Sequence, residues 1–211
     1  MNAITNLLTT KTYKTKIKNF PEFLKWTQTR PTQIVKGKQT IKHQKKKRQE
    51  EEKIWGNNMI GQNNNGQWTT LLGEWGVYDI LQYLGKHPKK VLRKNGFEPD
   101  WEADDGIYEV KTRNWCVSGT AGEKVYGTFI KYRDIPELYG KPLYIICVGY
   151  QEWELTHGKT RYFGDKVDEK TKQALELAKS WNIHYVPFSK LVSELHEHLK
   201  QEEQSNPQEI S

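Results

Sequence analysis

From residue 68 onward the chain alternates between two periodicities. Leu71, Leu72, Trp75, Tyr78 and Leu81 recur at helical spacing behind Thr69 and Thr70, and predict a capped helix running to about residue 84. A short strand near Val91 comes next, then two runs of alternating polar and apolar positions, 100–103 and 107–115, on either side of Asp105-Gly106. Small residues over 118–122 read as a loop, and 125–139 as a helix interrupted near Pro136. The stretch from Leu143 to Val148 is unbroken apolar sequence, the mark of a strand buried on both faces. An amphipathic helix over 165–181, a strand over 183–186 and a helix over 189–201 capped by Ser189 close the chain. The order αβββαβαβα predicts an α/β fold, a mixed central sheet flanked by helices.

The hairpin carries the chemistry. With Asp105-Gly106 as a type I′ turn, Asp100 falls opposite Lys111 and Glu102 opposite Glu109. Asp100, Glu102, Glu109 and Lys111 then share one face, and Trp101, Ala103, Tyr108 and Val110 the other. The facing Glu102 and Glu109 cost roughly 0.2–1 kcal/mol unless a cation sits nearby, and hard divalent cations such as Mg²⁺ take carboxylate oxygens. The competing reading is an amphipathic hairpin with its charges in water. Glu74 borders the apolar stripe of the first helix, where an unpartnered carboxylate is expensive to bury. A metal, or water bound to one, would satisfy it; otherwise it is an ordinary helix-edge glutamate.

Ahead of residue 68 the pattern weakens. A helix is possible near 20–27, with Pro21 at its start; a charge run over 42–53 turns from basic to acidic, and the Gly/Asn-rich stretch 56–66 reads as an irregular loop. The formal charge of +7 is concentrated here: residues 1–50 hold 13 Lys+Arg and 2 Asp+Glu of totals 33 and 26, which leaves 20 and 24 for the other 161 residues. The expectation is a basic N-terminal arm with its loop over 1–66, partly extended or flexible, followed by one domain over 67–211. An arm of this kind suits a polyanion, since each phosphate contact releases counterions; a solvated tail and, through Lys45-Lys46-Lys47-Arg48, a nuclear import signal are the alternatives. No apolar run is long enough to cross a membrane and no signal stretch opens the chain, so a soluble, cytoplasmic protein is expected. Cys116 and Cys147 are too few and too far apart for a zinc knuckle and read as buried thiols. His196 and His198, two apart on a helix, point to different sides and do not share a metal easily.

Residues 71–152 resemble the PD-(D/E)XK nuclease superfamily through Gly73-Glu74 on the first helix, Pro99-Asp100, and Glu109-Val110-Lys111, in that order, and through the order helix, three strands, helix, strand. The resemblance implies a restriction-endonuclease-like fold in which Asp100, Glu109 and the Val110 carbonyl bind Mg²⁺, Lys111 assists the attacking water and Glu74 completes the site. The segment Gly119-Thr120-Ala121-Gly122-Glu123-Lys124, with Lys131-Tyr132 and Leu138-Tyr139-Gly140-Lys141-Pro142, is similar to the stretch C-terminal to this motif in small type II restriction endonucleases. Lys124, Lys131, Tyr132 and Arg113 beside the site, with Lys45, Lys46, Lys47 and Arg48 in the arm, are the expected DNA contacts.

The expected function is that of a Mg²⁺-dependent type II restriction endonuclease. It would cut double-stranded DNA at a short sequence and leave 5′-phosphate and 3′-hydroxyl ends, as a homodimer with one site for each strand. A structure-specific or nicking endonuclease of the same fold, and a non-catalytic DNA-binding protein, are the rivals.

Overall fold

The computed structural model describes residues 15–30, 41–63, 66–116 and 125–205. The helices are α1 (Phe20–Gln28), α2 (Ile41–Met59), α3 (Trp68–Tyr83), α4 (Thr128–Lys131), α5 (Ile135–Tyr139), α6 (Tyr150–His157), α7 (Glu169–Ser180) and α8 (Phe188–Ser205). The strands are β1 (Lys89–Lys90), β2 (Trp101–Ala103), β3 (Gly106–Arg113), β4 (Leu143–Gly149) and β5 (Ile183–Pro187).

The apolar run of β4 lies inside a five-stranded sheet of order β1-β2-β3-β4-β5. The pairs β1–β2 and β2–β3 are antiparallel, and β3–β4 and β4–β5 parallel. Alternate residues of β4 feed two cores. Ile146 and Val148 join Trp101, Tyr108, Val110 and the side chains of α1, α3 and α8 on one face. Leu143 and Ile145 join Ile107, Phe129, Tyr132, Ile135 and Ala178 on the other. Each fully buried branched side chain contributes about 1.5–3 kcal/mol, so β4 is the fold's main apolar investment and β3, paired to it over its whole length, inherits a fixed position. The protein is thus a mixed α/β fold with helices on both faces of the sheet. No helix among the described residues is long and apolar enough to cross a membrane.

Four local features differ from the expectations. The β2–β3 turn is Asp104-Asp105, not Asp105-Gly106, and the register is Trp101↔Tyr108, Glu102↔Ile107 and Ala103↔Gly106. Neither aspartate has a positive φ, so the turn is not type I′. Both are tied down: Asp104 N donates to Lys86 O at 3.0 Å, and Asp105 accepts from Tyr108 Oη at 2.9 Å and pairs with Lys86 at 2.9 Å. Gly106 serves a close approach instead, since a Cβ there would stand 2.5 Å from the Tyr144 ring. The slip is two residues, the period of a strand, so every side chain keeps its face. Glu102 does not face Glu109, however; it is held by Lys141 at 3.0 Å and Lys89 at 3.5 Å, which keep its carboxyl below the ordinary range against the effect of its partial burial. The expected like-charge pair of Glu102 and Glu109 therefore does not form.

The second difference lies at helix starts. α3 begins one residue ahead of Thr69 at Trp68, with Gln67 as a cap that makes no side-chain bond. α8 begins at Phe188, and Ser189 does not cap it but donates its own N–H to Glu152 at 3.0 Å. Third, α6 has no sequence signal: it buries only Gln151 and Leu155, too little for an apolar stripe. Fourth, the first 66 residues do not form a separate arm. α1 buries Phe20, Phe23 and Leu24 in the same core as α3 and α8, and the charge run together with Gly56–Met59 is one helix, α2.

Two glycines let these segments close on α3. Gly76 abuts the Phe23 ring, where a Cβ would fall 2.1 Å away, and Gly56 abuts Trp68, where it would fall 2.0 Å away. Asp79, buried in α3, accepts the N–H groups of Lys16 and Ile17 at 2.8 and 2.9 Å and fixes the approach to α1. Gly76→Ala is expected to lower unfolding stability by about 1–3 kcal/mol through overpacking. Gly127→Ala, where a Cβ meets nothing within 4 Å, should change it by less than about 0.5 kcal/mol. Urea denaturation of the two variants checks both values.

Candidate active site

The site forms where β2 ends and β3 continues. β2 pairs with β3 only as far as Trp101↔Tyr108, so Val110 has no strand partner on that side. Asp100 replaces one: Val110 N donates to its Oδ2 at 2.7 Å, and Asp100 N donates to Tyr108 O at 3.1 Å. Ile107 N points to the β4 side, bonding Pro142 O at 2.8 Å. Backbone groups alternate along a strand, so the Val110 carbonyl points away from β4, toward Asp100.

Glu109 lies on the face that carries Ile107, and is 5% exposed. Lys111, two residues on and half-buried, donates Nζ to Glu109 Oε1. Tyr132 at the end of α4, itself buried, shares a hydrogen bond with Glu109 and takes one from Lys131 Nζ at 3.1 Å. Glu74 comes from α3, on the opposite face. Gly73 lets α3 sit against β3, since a Cβ there would stand 1.6 Å from Thr112 Oγ1. Trp101 Nε1 bonds the Glu74 carbonyl at 2.8 Å, and the Glu74 side chain shares a hydrogen bond with Asp100.

Three carboxyls in partial burial cannot all ionise freely. Burial pushes the Asp100 carboxyl up to about 7, helped by Glu74 and opposed by the Val110 N–H, Lys111 and Lys90. Burial and then Asp100 raise Glu109, against Lys111. Burial also raises Glu74, against Lys90 and its bond to Asp100. A hydrogen bond between the Glu74 and Asp100 carboxyls requires one of them to hold the proton. Among the described residues no three His, Cys, Asp or Glu side chains stand ready as metal ligands, because Lys111 occupies Glu109 and Glu74 occupies Asp100. The donor set of two carboxylates and one carbonyl is nonetheless all oxygen, the chemistry that Mg²⁺ takes, and a divalent cation would relieve the repulsion between the acids.

Of the sequence-derived candidates, Glu74, Asp100, Glu109, Val110, Lys111, Lys131 and Tyr132 come together. Tyr132 enters as a partner of Glu109 rather than as a surface contact. Arg113 does not join them: it is 6% exposed, its guanidinium donates to Glu154 and it lies 4.8 Å from the Tyr150 ring centre. Lys45, Lys46, Lys47 and Arg48 lie on α2, with Lys47 paired to Glu51 at 3.8 Å. Lys124 and Ser118–Gly122 lie outside the described residues. Lys90 was missed. It sits opposite Trp101 with Nζ 5.0 Å from the indole centre, where its charge acts on Glu74 and Asp100; a two-residue strand gives no periodicity from which to foresee that.

Asp100 is raised in the folded chain from 3.8 to about 7, so its share of stability is present at low pH and is lost as pH rises through that window. Metal-free protein should therefore lose stability as pH rises from about 4 to about 7–8, and Asp100→Asn should flatten that loss, as read by urea midpoints across pH. An unchanged pH profile in the variant would contradict this. Against known proteins, no family model, no curated protein and no solved structure matches the chain.

Proposed function

We propose that the protein is a Mg²⁺-dependent endonuclease of the PD-(D/E)XK kind, acting on double-stranded DNA as a type II restriction enzyme. One observation carries the reading: Asp100, Glu109 and Lys111 converge where β2 leaves β3, with Glu74 reaching Asp100 from α3. Buried like charges with shifted proton affinities in one place are the signature of a site built for a task rather than for stability.

Asp100, Glu109 and the Val110 carbonyl would hold Mg²⁺, which when bound acidifies water and neutralises charge on phosphoryl oxygens. Tyr132 fixes Glu109 from the α4 side, so that carboxylate keeps its aim when Lys111 leaves it. Lys111 is then a point charge on the same face, set to hold the attacking water or a phosphoryl oxygen. Glu74 receives or shares the proton that Asp100 must lose, and Lys90 limits the charge left behind. Cutting both strands of a duplex needs two such sites, and a homodimer supplies them.

Plasmid and phage DNA incubated with Mg²⁺ should give discrete fragments with common ends, and none with chelator. Lys111→Ala and Asp100→Ala should each reduce cleavage at least about a hundredfold. Retained cleavage would overturn the site; smearing or nicking would favour a structure-specific enzyme. Because α1 belongs to the core, DNA attraction by the basic segment is tested by substitution rather than truncation. Lys45, Lys46 and Lys47 changed together to Gln should lower the salt slope of metal-free binding by up to about 0.9 per lost phosphate contact. An unchanged slope would remove α2 from the DNA interface.

A further inference from the structure

A second concave site lies away from the carboxylates, between α1, α2 and the end of β3. It encloses about 470 Å³ and is lined by Trp26, Trp55 and Trp115 with Lys25, Arg48 and Glu51, within the range of about 300–1,000 Å³ usual for ligand pockets. The indoles are held in place by their own N–H groups. Trp26 Nε1 donates to Glu52 at 3.0 Å, Trp55 Nε1 to Glu22 at 2.8 Å and Trp115 Nε1 to the Trp26 carbonyl at 2.9 Å. Glu52 also takes the backbone N–H groups of Trp115 and Cys116, which ties the end of β3 to α2. Trp26 and Trp55 stack with centroids 5.4 Å apart. A half-buried aromatic wall held this firmly is a rigid stacking platform, and it contributes nothing to the carboxylate site.

We infer that this pocket receives an unpaired nucleobase of the bound nucleic acid; the inference rests on the nuclease reading for its ligand. Size fits one base and its sugar. Every base presents a π-face to an indole, and the carboxylate of Glu51 suits an exocyclic amino group. The charges in the lining decide against the other usual guest of an aromatic cage, a quaternary ammonium: Lys25 and Arg48 would repel a cation, whereas they suit the phosphates flanking a base. Position agrees too. Trp115 is four residues beyond Lys111 on the same strand path, about 13 Å at 3.3 Å per residue, a span of two nucleotides or so along an extended backbone. A base accommodated there would hold the strand in register with the cut.

The test is binding by the full-length chain in chelator, so that it does not depend on catalysis. Fluorescence anisotropy would compare a single-stranded oligodeoxynucleotide, the same strand with one abasic position moved along it, and duplexes with and without one unpaired base. Expected is about tenfold weaker binding when the abasic position coincides with the pocket, and tighter binding of the duplex bearing an unpaired base. Trp55→Leu should abolish this difference, Trp55→Phe should restore most of it, and Lys111→Ala should leave it intact. If only the single strand shows the effect, the pocket accepts bases already free; if the intact duplex containing 2-aminopurine also brightens on binding, it extrudes them. Equal binding of abasic and intact strands by the wild-type chain, or tetramethylammonium quenching Trp fluorescence where nucleotides do not, would overturn the inference. Loss of cleavage activity alone would bear on the carboxylate site and not on this one.

Discussion

The hydrogen bond from Val110 N to the Asp100 carboxylate is the contact on which the site depends. It does two things at once. It closes an open edge of β3, where a backbone donor would otherwise lack a partner at a cost of about 1–3 kcal/mol, and it pins Asp100 beside Glu109 at the point where the two strands part. The same bond pulls Asp100 toward its ionised form against burial and against Glu74. The molecule thereby holds a proton-sharing carboxyl pair next to a lysine-bound glutamate, a set of groups whose charges are balanced only with a proton or a cation present.

The rest of the architecture serves that placement. β4 fixes β3 by parallel pairing over seven residues, and burial of Leu143, Ile145 and Ile146 makes the pairing unconditional. Gly73 removes the one side chain that would hold α3 away from β3, which is what lets Glu74 reach Asp100 from the other face. Further from the site, Gly76 and Asp79 lock α1 onto α3, so the N-terminal residues stiffen the same helix that carries Glu74. Glu52 then connects α2 to the far end of β3 through Trp115 and Cys116. A charge run that reads as solvated along the chain thus supplies one of its better-used carboxylates.

Legibility followed periodicity. The helices and strands from α3 to α8 were visible because their buried stripes repeat, and the acids fell on one face despite a wrong turn, because a slip of two residues leaves the alternation unchanged. Where burial is achieved by few residues the signal disappeared: α6 rests on Gln151 and Leu155, and β1 is two lysines, which is why Lys90 went unseen. The first 66 residues looked like an arm because their lysines outnumber their apolar groups, yet Ile17, Phe20, Phe23, Leu24, Met59 and Ile60 suffice to seat them. Arg113 likewise looked like a DNA contact by sign of charge alone, whereas Glu154, from an element with no sequence signal, takes it inside.

The proposed activity stands or falls on whether Asp100 and Glu109 together form a divalent-cation site. Titrating metal-free protein with Mn²⁺ and following free Mn²⁺ by electron paramagnetic resonance tests it without requiring a DNA substrate. Saturable loss of the free-ion signal is predicted in the wild-type chain, competed by Mg²⁺, with little or none in Asp100→Ala. Undiminished binding in Asp100→Ala, or no binding by the wild-type chain with or without DNA, would contradict it.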